Sequence, residues 1–261
     1  MNNIKKILLA ICFSFFLIQC DRVPIQEVSE QSVVDESQTQ VDNAVVSSGV
    51  GIAQYQNWIG SIDGQDVSLE PADLLARNFY LVFDGSGSMS GSKNQQARAA
   101  TIDFINSLPG DVNLGLLVFD SEGCFERIPI QRLTDEAKVK FTQYVSQIPA
   151  DGGTPLHDAI ELSRRSLVVQ AKRQLGYGEY NVVVITDGDA EFGQDPTDVI
   201  DYINEKTLII VRTIGFMIGE GHALNRPGET FYSTAGDQES LLKALNSVLA
   251  EAPSFDVAEF K

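Results

Sequence analysis

The chain has 261 residues, 43% of them hydrophobic and 21% charged, which is the composition of a globular protein and excludes wholesale disorder. Lys and Arg number 19 against 36 Asp and Glu, so the formal net charge is −17. This charge excludes nucleic acid and anionic lipid surfaces as main partners, because both select clustered positive charge. Three Cys and two His cannot build a structural zinc site, which needs four ligands at tight spacing.

The N-terminus has the features of a secretory signal. Two lysines precede the apolar run 7–18, which is shorter than the roughly 20 residues of a membrane-spanning helix. The run ends at Gln19-Cys20 and resembles the lipobox of bacterial lipoproteins, although Gln19 stands where that motif has a small residue. The resemblance implies a signal peptide at residues 1–19, a lipidated Cys20 and a place in the bacterial envelope, facing the periplasm or the cell exterior. The alternative is an ordinary cleaved signal followed by an unmodified Cys.

Four further segments follow from composition. Residues 20–48 are acidic and lack hydrophobic periodicity, which predicts a disordered tether behind the lipidated Cys. Residues 49–71 contain Trp58, the only Trp, and are expected to form a short cap or extension. The main domain is predicted at 72–252, and 253–261 is a C-terminal tail.

Within the main domain, short apolar runs alternate with amphipathic runs. Strands are predicted at 79–83, 114–119, 125–130, 181–186, 207–214 and 230–233, and helices at 94–108, 134–148, 155–174, 196–206 and 238–251. The strand at 125–130 is expected at an edge, because Pro129 cannot donate a ladder hydrogen bond. The alternation predicts an α/β fold: a doubly wound, mostly parallel sheet, covered by helices on both faces, with one antiparallel edge strand.

Three groups of polar side chains come at predicted loops of this sheet. Asp84, Ser86 and Ser88 follow the first strand, Thr154 precedes a helix, and Asp187 follows the strand that ends at Thr186. Because parallel strands end at one edge, we expect these five side chains to converge there. Their hydroxyl and carboxylate oxygens suit Mg²⁺, Mn²⁺ or Ca²⁺ rather than zinc or copper.

The same motifs identify a family. The Asp84-x-Ser86-x-Ser88 run, Thr154 in Gly-Gly-Thr-Pro-Leu and Asp187 in Thr-Asp-Gly resemble the metal-ion-dependent adhesion site of von Willebrand factor type A domains. The resemblance covers roughly residues 78–251 and implies a Rossmann-like fold. It implies that the two Ser bind the metal directly, that Thr154 binds directly or through water, and that both Asp act mainly through water. In this family a partner protein often supplies a carboxylate as the final ligand.

Other chemistries fit the residues less well. The glycines after the first strand imitate a dinucleotide fingerprint, but the third glycine is missing and Asp84 would repel a pyrophosphate. Ser86 as a nucleophile needs a base within hydrogen-bond reach. His157 could contact a partner or modulate the metal, although a solvated or capping role is favoured for it, and more strongly for His222. Cys124 is expected to be buried and inert.

The sequence therefore favours a binding module over an enzyme. The leading hypothesis is a membrane-anchored envelope protein that holds a protein partner through a divalent metal, with the partner donating an Asp or Glu carboxylate. A second is a structural or assembly component in which the metal only stabilises the loops. A metal-assisted hydrolase is the third, and it lacks an evident general base.

Overall fold

The computed structural model describes residues 73–250 of the chain. The predicted signal peptide, Cys20, tether, cap and C-terminal tail lie outside the described residues. Within the described part, no helix combines the length and the apolarity needed to cross a membrane.

A single six-stranded sheet forms the centre of the described domain. Its strands are β1 (Arg77–Asp84), β2 (Asn113–Asp120), β3 (Gly123–Arg132), β4 (Glu179–Thr186), β5 (Ile209–Phe216) and β6 (Phe231–Ala235). Their order across the sheet is β3-β2-β1-β4-β5-β6, and every neighbouring pair is parallel except β2 with β3. The predicted fold class is confirmed, including the antiparallel edge strand that contains Pro129.

The helices cover both faces of this sheet. They are α1 (Ser92–Ser107), α2 (Asp135–Val145), α3 (Leu156–Arg173), α4 (Thr197–Lys206) and α5 (Gln238–Ala250). Alternate residues of β1 point to opposite faces: Phe79, Leu81 and Phe83 pack with α1, α2 and α5, whereas Tyr80 and Val82 pack with α3 and α4. Burial on both sides explains why the central strands are continuous apolar runs.

Two stretches differ from the sequence prediction. The fifth strand begins at Ile209 rather than at Thr207, because the Thr207 hydroxyl donates to Ile203 O at 2.8 Å and accepts from Ile209 N at 3.1 Å. Thr207 therefore ends α4 instead of starting a strand. The sixth strand begins at Phe231 rather than at Thr230, and residues 217–230 before it form turns and irregular backbone.

A side-chain cap marks the start of α2. The Thr134 hydroxyl accepts a hydrogen bond from Ala137 N at 3.2 Å, and Asp135 and Glu136 occupy the first turn. Such a cap satisfies one of the backbone donors that a helix leaves unpaired at its N-terminus.

We expect Thr134→Ala to lower the free energy of unfolding by about 1 kcal/mol, because the Ala137 amide loses its acceptor. Thr134→Ser keeps the hydroxyl and serves as the matched control. Urea denaturation of both variants gives the comparison, and equal stability of the two would show that the cap contributes nothing.

Candidate metal centre

The carboxyl ends of β1 and β4 bring two carboxylates to one edge of the sheet. The register pairs Phe83 with Ile185, so Asp84 at the end of β1 lies beside Thr186 at the end of β4. Asp187 follows directly. The convergence of loops at this edge was expected from the parallel topology alone.

Asp84 holds the loop that follows β1. Its carboxylate is fully buried; Oδ1 accepts from Ser86 N at 2.8 Å and Oδ2 accepts from Thr186 Oγ1 at 2.6 Å. Burial raises the pKa of Asp84 and the nearby negative charge of Asp187 acts in the same direction, whereas the hydrogen bonds from Ser86 and Thr186 lower it. A cation placed here would therefore relieve an unfavourable buried charge.

The serine hydroxyls form a short chain of polar contacts. Ser86 Oγ lies 2.9 Å from Ser88 Oγ, and Ser88 Oγ donates to Asp187 Oδ1 at 2.6 Å. Ser88 belongs to a 3-10 turn, Gly87–Met89, which turns its side chain back toward β4. The Ser86 hydroxyl thus has the Ser88 hydroxyl as a hydrogen-bond neighbour.

Thr154 reaches the same place from the loop before α3. A Cβ on Gly188 would lie 3.5 Å from Ser88 Oγ and 3.8 Å from Thr154 Oγ1, so the two hydroxyls face a common point. The loop is fastened to the β1 loop twice, by Gly87 N donating to Gly152 O at 3.1 Å and by Asp151 N donating to Gly85 O at 2.7 Å.

These residues present oxygen donors around a small space beside Gly188. Among residues 73–250, no group of three or more His, Cys, Asp or Glu side chains is arranged to hold a metal, so hydroxyls would have to complete any set. Two carboxylates and three hydroxyls suit a hard divalent cation that keeps some of its waters. The donor chemistry therefore fits Mg²⁺, Mn²⁺ or Ca²⁺.

Three neighbours of the site were not predicted. The Lys93 ammonium forms a salt bridge with Asp187 Oδ2, and Thr186 donates to Asp84. His222 is buried rather than solvated: Nε2 lies 2.8 Å from Gly188 O and Nδ1 accepts from Leu224 N at 3.0 Å, which ties the irregular segment to the site. The role of Thr186 could have been predicted from sequence, because it is a polar residue at the end of a strand.

The other residues considered from sequence lie outside this cluster. His157 is partly exposed and faces two carboxylates, 3.3 Å from Asp158 Oδ1 and 3.4 Å from Asp198 Oδ1. Cys124 lies on β3 and is half-buried. Burial, followed by the charge of Asp158, raises the pKa of its thiol to about 12, which leaves little reactive thiolate at neutral pH.

The comparison with known proteins agrees with this architecture. The model of the von Willebrand factor type A domain matches residues 78–261. The chain belongs to this family. Members of the family are mostly non-enzymatic modules for adhesion and interaction.

Relatives share the domain within different whole proteins. Mouse inter alpha-trypsin inhibitor heavy chain 4 is 29% identical over 160 residues, which cover 60% of this chain but only 17% of that protein. A von Willebrand factor type A structure from Catenulispora acidiphila has a TM-score of 0.56 at 18% identity, covering 67% of this chain and 42% of that one. Proximal thread matrix protein 1 of the mussel byssus has a TM-score of 0.52 at 17% identity, covering 68% of this chain and 46% of that one. Its structure has a zinc-occupied metal-ion-dependent adhesion site.

The loop that carries Thr154 depends on a glycine. Gly152 has φ +106°, and a Cβ there would lie 2.6 Å from the carbonyl carbon of Asp120. Gly193 also has a positive φ, +82°, but a Cβ there meets nothing within 4 Å.

We therefore expect Gly193→Ala to cost about 1–2 kcal/mol of stability from its backbone conformation alone, and Gly152→Ala to cost clearly more and to displace Thr154. Urea denaturation measures the cost, and the amide chemical shift of Thr154 reports the displacement. Equal effects of the two substitutions would mean that the close approach to Asp120 does not constrain the loop.

Proposed function

We propose that this protein is an envelope-anchored binding module that holds a protein partner through a divalent metal. The observation that carries the proposal is the meeting of the Ser86, Ser88 and Thr154 hydroxyls with the Asp84 and Asp187 carboxylates at one edge of the sheet. The family, whose members serve in interaction and adhesion, supports the same function.

Within this proposal the five residues have different roles. Ser86 and Ser88 would bind the ion directly, and Thr154 would bind it directly or through water. Asp84 and Asp187 would act mainly through water. Both oxygens of Asp84 already accept hydrogen bonds, from Ser86 and Thr186. The bound ion would supply a positive charge and an open coordination position for a partner's Asp or Glu carboxylate. Mg²⁺ is the ion we favour; the zinc of the byssus protein makes zinc a useful comparison in binding assays.

The overall charge of the chain makes a local cation necessary for such a partner. At −17 the protein repels an acidic partner at long range, and loss of residues 1–19 with their two lysines would bring the charge to −19. Screening limits this repulsion to about 8 Å at physiological salt, so the ion's own charge dominates at contact.

Membrane attachment is the part of the proposal that rests on sequence alone. Lipidation of Cys20 with two or more acyl chains would anchor the domain stably, since each buried methylene contributes about 0.8 kcal/mol. The acidic segment 20–48 would then hold the domain away from the bilayer.

One observation favours the second candidate, in which a metal only stabilises the loops. The Gly85 and Gly87 backbone is hydrogen-bonded to Asp151 and Gly152. A bound ion would therefore add a further link between the loop after β1 and the loop before α3. In that case chelation would lower the melting temperature without releasing a partner.

Affinity capture from envelope extract with the full chain in mild detergent separates the two. We expect a partner that is retained in Mg²⁺, released by EDTA and absent with Ser88→Ala or Asp84→Ala. Asp103→Ala, which removes an exposed charge from α1, is the control and should capture normally. A partner that stays bound in EDTA would place the interface elsewhere and make the metal structural at most.

A further inference from the structure

Asp187 already has a positive partner within the protein. Lys93 lies in the first turn of α1 and its ammonium contacts Asp187 Oδ2, while Asp187 Oδ1 accepts from Ser88. The Asp187 side chain is completely buried and that of Lys93 is 31% exposed. The carboxylate is thus divided between the lysine on one oxygen and the proposed metal site on the other.

The position of Lys93 is unfavourable for the helix itself. The N-terminus of a helix carries partial positive charge, and the first turn of α1 contains no acidic residue to balance it. A lysine there is disfavoured unless another interaction compensates for it. The buried carboxylate of Asp187 is that interaction, so this lysine belongs to the site rather than to the helix.

Charge counting shows what the lysine does to the site. Asp84 and Asp187 carry two negative charges and Lys93 one positive charge, so the three groups together are singly negative. A divalent ion would make the site singly positive, whereas without the lysine the loaded site would be neutral. A singly positive site is matched by one carboxylate.

We propose that Lys93 is a built-in counter-charge that weakens the binding of the divalent ion and leaves the loaded site ready for an anionic group. This inference rests on the proposed metal site and names how that site is regulated. The ion and the lysine share Asp187 at short range in a buried setting, where like charges repel strongly. A partner's carboxylate offsets this repulsion, so metal and partner bind cooperatively, and each strengthens the other by the same factor.

Binding of Mn²⁺ alone tests the proposal. Calorimetry on the full chain in mild detergent would compare the wild type with Lys93→Met, Lys93→Arg and Lys140→Met, which removes an exposed positive charge from α2. We expect Lys93→Met to bind Mn²⁺ about tenfold more tightly, and the other two variants to stay near the wild type. Added acetate, as a carboxylate probe at constant ionic strength, should tighten Mn²⁺ binding more in the wild type than in Lys93→Met.

The outcomes separate this inference from the function on which it rests. Failure of both the wild type and Lys93→Met to bind Mn²⁺ would mean that the metal site itself is wrong. A wild type that binds Mn²⁺, with Lys93→Met binding no more tightly, would overturn the counter-charge and make the lysine a structural partner of Asp187. Lys93→Gln gives a polar variant that answers the same question, and circular dichroism in EDTA checks that each variant is folded.

Discussion

The hydrogen bonds of the Asp84 carboxylate are the contacts on which the site depends. One oxygen shapes the loop after β1 by accepting from the Ser86 amide, and the other joins β1 to β4 through the Thr186 hydroxyl. The loop so formed then receives the Gly152 segment through backbone hydrogen bonds. Five side chains from three distant stretches of sequence meet where this buried carboxylate and these two hydrogen-bonded loops lie.

The balance of charge determines what this site can bind. Two acidic side chains are buried at one edge of the sheet, which is unfavourable without positive charge nearby. Lys93 supplies part of that charge from within the chain. A divalent ion would supply the rest and more, which is why the proposed site would accept an anionic ligand on a protein whose net charge is −17.

The fold was predictable because its signals are local. The β4 strand contains the unbroken apolar run 182–185, and the Thr134 cap and Pro129 each act within a few residues. The five site residues could be placed together because parallel strands end at one edge. Lys93 was missed because its partner is 94 residues away, and nothing in the sequence says which direction its side chain takes. The burial of His222 was missed for the same reason, since Gly188, whose carbonyl oxygen it contacts, is 34 residues away in sequence.

Anomalous diffraction from crystals of the protein grown with Mn²⁺ tests the central claim most directly. The account predicts one strong manganese peak bounded by the hydroxyls of Ser86, Ser88 and Thr154. The Asp84 and Asp187 carboxylates should lie next to these hydroxyls, and Lys93 should still contact Asp187 Oδ2. Two results would contradict the account: ordered side chains in this arrangement with no manganese peak among them, or a manganese peak at another surface.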